Sequence, residues 1–304
     1  MPRISDAAKK KGPLIDILIP AIEKDLKTLP HVVRAAKRHV RHPIGEVIIV
    51  APRKESIRSL CREEGWRFVD ENTVLPITKK DIRYRSKRWE RSGWLFQQLL
   101  KLSGDKLCRA RHFLVIDADT VFIRPHTFLK GEKTVFYTRE WSQPEYFRAY
   151  ARLMGSCASA PRSFVTHYML FEKEKLAELK RHIEARHRMG WHEAVLKCID
   201  RTSKFGFSEY ETYGNFLYSR YPGSVKLRKA LNRAMSASVD RMTPDRYKTL
   251  AARYRSVSFH ERKGYVRKAE TAAARANRRG KAERRQSRSG AGRVAEASGI
   301  RRGR

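Results

Sequence analysis

The stretch HFLVIDADTVFIRP, residues 112–125, is a run of apolar residues that ends in two aspartates separated by a single alanine. Four consecutive apolar residues, Phe113 to Ile116, predict a strand that is covered on both faces, as in a parallel sheet. Asp117 and Asp119 would then lie at the carboxyl end of that strand, where ligands collect in open α/β sheets. The stretch therefore predicts a fold class and the place of a candidate site together.

The segments before this strand alternate between strand and helix patterns. Residues 13–21 (PLIDILIPA) and 45–52 (GEVIIVAP) predict buried strands, and residues 29–40 between them carry a helical stripe of apolar positions. Residues 92–104 (SGWLFQQLLKLSG) predict a helix that Ser103 and Gly104 terminate. We expect an α/β fold with a mixed, mostly parallel sheet flanked by helices.

The aspartate pair has two interpretations. In an extended segment, residues two apart project to the same side, so the carboxylates of Asp117 and Asp119 could converge on a divalent cation. In the alternative, the pair only begins a tight turn. The fully apolar strand before the pair and the segment TVFIRP after it favour a site for Mg²⁺ or Mn²⁺, whose remaining ligands would be phosphate oxygens of a substrate.

The charge balance points to anionic partners. The chain has 67 Lys and Arg against 32 Asp and Glu, a formal net charge of +35. An excess of this size is typical of proteins that meet nucleic acid, an anionic membrane surface or phosphorylated substrates. From Arg262 onward the chain holds 15 Lys and Arg, 3 acidic residues and almost no large apolar residue. We expect a basic head at 1–12, one domain at 13–265 and a disordered basic tail at 266–304.

Cysteine spacing and hydropathy suggest the compartment. The four cysteines are tens of residues apart, which argues against a zinc ribbon or a dithiol redox site and favours reduced thiols. The amino terminus lacks the apolar core of a signal peptide, and no apolar run is long enough to span a bilayer. We expect a cytoplasmic protein, with a peripheral position at the inner face of the membrane as an option.

Several segments resemble the GT-A glycosyltransferases, enzymes that transfer a sugar from a nucleotide-sugar to an acceptor. FLVIDADTVFIRP resembles their D-x-D segment, and IDILIPAIEKDLKTLPHVVRAAKRHV is similar to their opening strand and helix. SGWLFQQLLKL resembles the helix before the D-x-D strand in family-eight-like and related bacterial members, and FGFSEYETYGNFL is similar to a segment of an uncharacterised bacterial branch. The resemblance covers residues 13–261 and implies a Rossmann-like GT-A fold.

The resemblance also implies ligands. It implies a nucleotide-diphosphate-sugar donor, with a UDP-sugar favoured, bound together with Mn²⁺ or Mg²⁺. Asp119 would bind the metal directly and so take part in catalysis, and Asp117 would bind the ribose or reach the metal through water. His260 in SVSFHER would complete the metal shell. The alternative for His260 is an ordinary histidine at the end of a strand.

The segment SEYETYG, residues 208–214, offers two glutamates with different expected roles. If Ser208 is the N-cap of a helix, Glu211 falls at the third helical position and completes a capping box. Glu209 then has no local structural role. We predict that Glu209 is the general base for an acceptor hydroxyl if transfer inverts the anomeric centre.

The remaining candidates are positional. The helix before the strand that ends at Asp117 carries Gln97, Gln98 and Lys101. Lys101 could approach a diphosphate there; in the alternative, these side chains only form part of the solvated surface. The other candidates are donor contacts at Ala21 and Arg53, which follow the first and second strands, and acceptor contacts at His167, Trp191 and His192. For His167, predicted in the middle of a strand, a satisfied core histidine is the alternative.

Metal-dependent transfer of a sugar to a glycan or lipid-linked acceptor is the leading hypothesis. The rival is a nucleic-acid-binding protein in which Asp-x-Asp is only a turn; it has the charge in its favour but no helix-turn-helix, zinc knuckle or aromatic–basic motif. A metal-dependent nucleotidyl or phosphoryl transferase would usually show a glycine-rich phosphate loop, and none is present. We expect no specific nucleic-acid partner.

Overall fold

The structure is a computed structural model that describes residues 12–260 of the chain. The tail predicted for residues 266–304, and the predicted head apart from residue 12, lie outside the described residues. Within residues 12–260, no helix combines the length and the apolar character needed to cross a bilayer.

Helices and strands alternate through the first half of the chain, as predicted. The helices are α1 (Leu29–His39), α2 (Glu55–Glu63), α3 (Ser92–Lys101), α4 (Gly104–Leu107), α5 (Pro144–Met154), α6 (Lys173–His187), α7 (Trp191–Cys198), α8 (Glu209–Arg220) and α9 (Pro244–Ala251). The strands are β1 (Ile15–Pro20), β2 (Ile44–Ala51), β3 (Arg67–Asp70), β4 (Arg85–Ser86), β5 (Trp89–Glu90), β6 (His112–Ile116), β7 (Thr120–Phe122), β8 (Leu129–Lys130), β9 (Lys133–Thr138), β10 (Tyr168–Glu172), β11 (Val225–Lys229), β12 (Asn232–Met235) and β13 (Ser256–Phe259).

Five strands form the central sheet in the order β10-β6-β1-β2-β3. The pairs β1–β2, β2–β3 and β1–β6 are parallel, and β10 runs antiparallel to β6 at the edge. The predicted mixed, mostly parallel sheet flanked by helices is therefore confirmed. Strands β2 and β3 lie on one side of β1 and β6 lies on the other, so the strand order reverses between β1 and β6. Ligands of open α/β sheets bind at such a point, outside the carboxyl ends of the strands.

Both faces of this sheet are covered, which explains the unbroken apolar runs in its strands. Side chains alternate along a strand, so Phe113 and Val115 of β6 join one core cluster while Leu114 and Ile116 join the other. The first cluster includes buried residues of α3 and α5 to α8, and the second includes buried residues of α1 and α2. The central sheet is thus covered by helices on both faces, except that Tyr168 of the edge strand β10 packs against aromatic side chains of residues 122–137.

A smaller sheet of three strands, in the order β12-β13-β7, returns the end of the described chain to the aspartate segment. Strand β13 runs antiparallel to β7, and the Phe259 N–H donates to the Asp119 carbonyl at 2.9 Å. His260 was considered as a histidine at the end of a strand, but no partner was predicted for that strand. This pairing carries His260 to the side of Asp119.

Candidate active site

The backbone at the aspartate pair forms a turn. The Thr120 N–H donates to the Asp117 carbonyl at 3.0 Å, and the Asp117 N–H donates to the His167 carbonyl at 2.8 Å. The prediction of an extended segment from Asp117 to Asp119 was therefore wrong, and the tight turn considered as its alternative is present. The turn and a candidate metal site nevertheless coexist, because the turn itself brings the two carboxylates together.

Three side chains converge at this turn. The ligand atoms of Asp117, Asp119 and His167 all lie within 4.8 Å of one another. Their side chains are 24%, 26% and 21% exposed, so the group is open to solvent rather than sealed in the core. Two carboxylates and an imidazole form a mixed set of oxygen and nitrogen ligands. Such a set suits Mn²⁺ better than Mg²⁺, which prefers oxygen ligands alone.

The prediction that His167 lies in the middle of a strand was wrong. It precedes β10 and has a φ of 72°, in the left-handed region that β-carbons disfavour. Its Nδ1 lies 3.0 Å from Asp117 Oδ2. Strained backbone of this kind persists where the surrounding structure imposes it and is common in binding sites. The predicted acceptor contact stays a prediction, whereas the structure adds His167 to the candidate metal ligands.

His260 lies beside the second aspartate. Its Nδ1 is 3.1 Å from Asp119 Oδ2, and its ring centroid is 5.3 Å from that of His167. Burial lowers the pKa of His260, but the neighbouring Asp119 and Asp117 outweigh burial and raise it above its usual value. The position agrees with what the resemblance implied, and ligation by His260 stays a prediction.

Lys101 occupies an interior position that was not expected. Its side chain is 5% exposed, and Nζ donates to Asp117 Oδ1 at 2.6 Å and to Glu209 Oε1 at 2.8 Å. Burial opposes the charge on Lys101, but the carboxylates outweigh it and raise its pKa well above the usual value. Burial likewise opposes ionisation of Asp117, whereas Lys101 and His167 hold the pKa of that carboxyl below its usual range. The solvated-surface alternative for Lys101 was wrong, and its ammonium is already paired rather than turned toward a diphosphate.

Helix α8 begins at the site and supplies two of its groups. Glu209 is 3% exposed, and burial raises the pKa of its carboxyl while Lys101 acts against that rise. The neighbouring Tyr210 hydroxyl donates to Asp117 Oδ1 at 3.2 Å. In this arrangement Glu209 faces Lys101 and not solvent, so its role as general base stays a prediction. Tyr210 was missed, although its place beside Glu209 in SEYETYG was the signal that could have found it.

The capping box predicted for α8 is half present. Ser208 is the N-cap, and its hydroxyl accepts from the Glu211 N–H at 3.3 Å. The Glu211 carboxylate does not return to the N-cap. It accepts from the hydroxyls of Ser142, at 2.7 Å, and Ser163. Glu211 is thus a buried structural group that ties two loops to α8, because those hydroxyls satisfy it better than the helix end could.

The predicted donor contacts lie around the carboxyl edge of the sheet. The Gln97 amide donates to the carbonyl of Pro20, the last residue of β1, at 3.4 Å. Gln98 is buried, and its Oε1 accepts from the Glu209 N–H at 3.2 Å. Ala21 is 4% exposed just after β1, and Arg53 is exposed just after β2. The structure therefore brings these positions to one edge, and contact with a donor stays a prediction for each.

Trp191 and His192 are not brought to the aspartates. Trp191 is 5% exposed at the start of α7, and the Lys180 ammonium lies 4.7 Å from its ring centroid. Lys180 in turn pairs with Asp105 of α4, the helix before the amino end of β6. Burial lowers the pKa of the half-buried His192. These contacts do not support an acceptor role for either residue, which stays a prediction.

Comparison with known proteins gives one family and several remote structures. A model of DUF6492, a family of unknown function, matches residues 24–260. No curated protein matches the sequence. Similar solved structures include the bifunctional glycosyltransferase WbbM in its apo form, at 12% identity and a TM-score of 0.46, with 81% of this chain and 46% of that chain covered.

Two further structures show the same degree of likeness. The galactosyltransferase LgtC, in complex with donor and acceptor sugar analogues, has 13% identity and a TM-score of 0.43 over 81% of this chain and 87% of that chain. Mouse xyloside xylosyltransferase 1 in its apo form has 12% identity and a TM-score of 0.44 over 81% and 97%. The chain spans less than half the length of WbbM. All three TM-scores lie below 0.5, so these likenesses are remote and imply no function for this chain.

Proposed function

The chain belongs to DUF6492, a family of unknown function, and we propose that it is a metal-dependent glycosyltransferase acting on a nucleotide-diphosphate-sugar. The observation that supports this most is the convergence of Asp117, Asp119 and His167, whose ligand atoms lie within 4.8 Å of one another. They meet at the carboxyl end of β6, beside the point where the strand order reverses. This is where α/β sheets bind nucleotides and phosphorylated ligands.

The residues present fit a divalent cation. Asp117, Asp119 and His167 would hold it, with His260 next to Asp119 as a further ligand, and Mn²⁺ suits this mixed set. Once bound, the ion would neutralise the charge that develops on the departing nucleoside diphosphate. The partial exposure of these side chains leaves room for phosphate oxygens of a donor.

The buried neighbours of Asp117 orient its carboxylate. Lys101 and Tyr210 both donate to Oδ1, while Oδ2 lies against His167. The Lys101 charge also offsets the repulsion between Asp117 and Glu209, which two close carboxylates would otherwise relieve by taking up a proton. On this proposal Lys101 is a positioning residue that keeps Asp117 ionised and aimed at the cation.

The donor and acceptor follow from the resemblance and the charge. We propose a UDP-sugar as donor, because that is the donor that the D-x-D resemblance favours. The net charge of +35 suits an anionic or lipid-linked glycan as acceptor, reached from a peripheral position at the inner face of a membrane.

A thermal-shift panel tests the proposal. UDP-, GDP-, CMP- and dTDP-sugars are compared with and without Mn²⁺, and duplex DNA at physiological salt serves as the test of the rival hypothesis. A ligand at about 100 times its Kd stabilises the folded state by about 2.7 kcal/mol, which corresponds to roughly 5–10 °C in Tm for a domain of this size. We expect one nucleotide-sugar to give a shift of this size only with Mn²⁺, and DNA to give none.

Matched variants make the result specific. Asp119→Asn should lose the Mn²⁺-dependent shift, because it removes a carboxylate of the cluster. Asp245→Asn removes an exposed carboxylate from the first turn of α9 and should keep the full shift. The proposal is wrong if no nucleotide-sugar responds to Mn²⁺, or if Asp119→Asn responds as the unmodified protein does.

A further inference from the structure

A hairpin before α3 presents an unusual concentration of positive charge. Strands β4 and β5 form a two-stranded sheet of their own, and residues 83–88 run through β4 and the turn between them. We call this segment the basic hairpin; its cations are Arg83, Arg85, Lys87 and Arg88. All four are exposed, and among the described residues none of them forms a salt bridge.

The nearest acidic side chains are engaged elsewhere. The Asp81 carboxylate accepts from the Thr78 N–H at 2.7 Å, and the Glu90 carboxylate accepts from the Ser92 N–H at 2.7 Å. Both carboxylates therefore accept from backbone amides in their own turns, although Arg85, the cross-strand partner of Glu90, also helps to lower the pKa of that carboxyl. Four like charges within six residues repel one another, and an anionic partner would relieve that repulsion.

The basic hairpin is tied firmly to the helices of the candidate active site. Tyr84 is fully buried, and its hydroxyl donates to the Ser203 carbonyl and accepts from the Gly206 N–H at 2.7 Å. The Arg201 guanidinium donates to the Arg83 carbonyl at 2.7 Å. The segment that contains residues 201–206 leads directly into α8, and the hairpin leads directly into α3. The hairpin is therefore anchored beside the elements that supply Glu209 and Lys101.

We propose that the basic hairpin docks the protein onto an anionic lipid bilayer. Its four cations are exposed and lie within six residues of one another, which suits an extended anionic surface, whereas a small phosphorylated ligand would need a concave pocket. Each basic residue close to an anionic leaflet strengthens binding about fivefold. Trp89, which follows the turn, packs its ring against the buried Tyr84 with ring centroids 5.0 Å apart, so the exposed side chains around the turn are the cations.

This inference deepens the proposed function, on which its purpose rests: docking through the hairpin would bring the candidate active site to a lipid-linked acceptor. The binding itself requires neither donor nor metal. It is therefore measured in EDTA without nucleotide-sugar, so that failure of the proposed enzymatic activity would leave the outcome of this measurement unchanged.

The test is cosedimentation of the full chain with vesicles. Vesicles of phosphatidylcholine and phosphatidylglycerol in equal parts are compared with phosphatidylcholine alone. One variant carries glutamine at all four cations of the basic hairpin. The matched control carries glutamine at four exposed cations on the sheet formed by β8, β9 and β11, namely Lys130, Lys133, Lys226 and Arg228. Both variants lose the same net charge and keep the same terminal segments.

We expect the hairpin variant to bind the anionic vesicles at least tenfold more weakly than the unmodified chain, given about fivefold per cation in contact, and the control to stay within about threefold. Tm should be unchanged in both variants, because the replaced side chains are exposed. A soluble anionic polymer, dextran sulfate, provides a second comparison. A flexible polymer can wrap around all of the basic surface, so the hairpin variant should lose less affinity for it than for vesicles.

Three results would overturn the proposal. Equal losses in the two variants would show that total charge alone drives binding. Unchanged vesicle binding in the hairpin variant would show that another surface docks. An equal loss for dextran sulfate and vesicles would show that the hairpin recognises polyanions in general and not a bilayer.

Discussion

Replacing Lys101 with methionine tests the electrostatic core of the candidate active site. Methionine keeps the length and much of the volume of the lysine stem but removes the charge that lies between two carboxylates. In the folded protein Nζ is 2.6 Å from Asp117 Oδ1 and 2.8 Å from Glu209 Oε1. The substitution therefore leaves both carboxylates without their cation.

The size of the effect follows from burial. Removing one partner of a buried ion pair costs about 3–5 kcal/mol, because an uncompensated charge remains in a low-dielectric environment. The Glu209 side chain is 3% exposed and that of Asp117 is 24% exposed, so water can still reach Asp117 but not Glu209. Most of the penalty should therefore come from Glu209. We expect Lys101→Met to lower the free energy of unfolding by about 3–5 kcal/mol, and Glu209→Gln in the same chain to recover about half of that loss or more.

Urea unfolding at pH 7, followed by circular dichroism, gives the free energy of unfolding of Lys101→Met, Glu209→Gln, the double variant and the unmodified protein. The matched control is Lys180→Met, which removes an ammonium that is also buried and also paired, in this case with Asp105 at 2.5 Å. Glu209→Gln should not rescue Lys180→Met, because no contact links the two pairs in the described structure. A cost below about 1 kcal/mol for Lys101→Met would show that its charge does not compensate the buried carboxylates. Equal rescue of both methionine variants by Glu209→Gln would show that the rescue does not depend on the pair of Lys101 and Glu209.

Three further predictions concern pH, the predicted base and a helix end. His126 is fully buried, and burial lowers its pKa to about 3, so it stays neutral in the folded protein while the unfolded chain takes up a proton below pH 6.5. This difference should lower the free energy of unfolding by about 2 kcal/mol between pH 7 and pH 5. Burial also lowers the pKa of His31, His112 and His192, so urea unfolding of His126→Phe should show a loss that is smaller by about 2 kcal/mol, and equal losses would contradict the prediction. Glu209→Gln should abolish transfer while nucleotide-sugar still raises Tm, and full activity would end the general-base hypothesis. Gly65 has a φ of 67° and a Cβ there would meet open space, so Gly65→Ala should cost about 1 kcal/mol in urea unfolding through its backbone alone. Gly93→Ala in the first turn of α3 also meets open space but has no positive φ, and it should cost nothing; equal effects would show that φ is not the cause.

The central sheet was predictable because its signals are local and redundant. Apolar runs such as residues 47–51 and 113–116 are typical of strands that are covered on both faces, and helical stripes separate them. The strand predicted around His167 was less accurate, because β10 covers only Tyr168–Glu172. The residues before β10 bond to distant groups instead of to a neighbouring strand. Ser163 forms an isolated bridge with Arg139 in the loop after β9, and the Phe164 N–H donates to the Glu211 carboxylate. No periodicity in the sequence records such contacts.

The candidate site was only partly predictable, and Lys101 illustrates why. In the sequence it is a lysine near the end of a helix, a common place for an exposed cation that complements the helix dipole. In the structure it is enclosed, because α8 packs beside α3 and brings Glu209 to it from 108 positions away. His167 was found as a residue but not as a candidate ligand, since its approach to Asp117 depends on a left-handed φ that nothing in SFVTHYMLF announces.

The sequence alone sufficed for the α/β class, the place of the two aspartates at a strand end and the surplus of positive charge. Those properties depend on the order of residue types along a short stretch, which burial and backbone geometry translate directly into strands, helices and exposed surface. Long-range packing settled the rest: that a turn and not an extended strand brings Asp117 and Asp119 together, that Lys101 lies between two carboxylates, and that the basic hairpin is anchored beside α8. The partner of a charged group depends on which distant segments meet, and that depends on the free energy of the whole packed chain rather than on any local pattern.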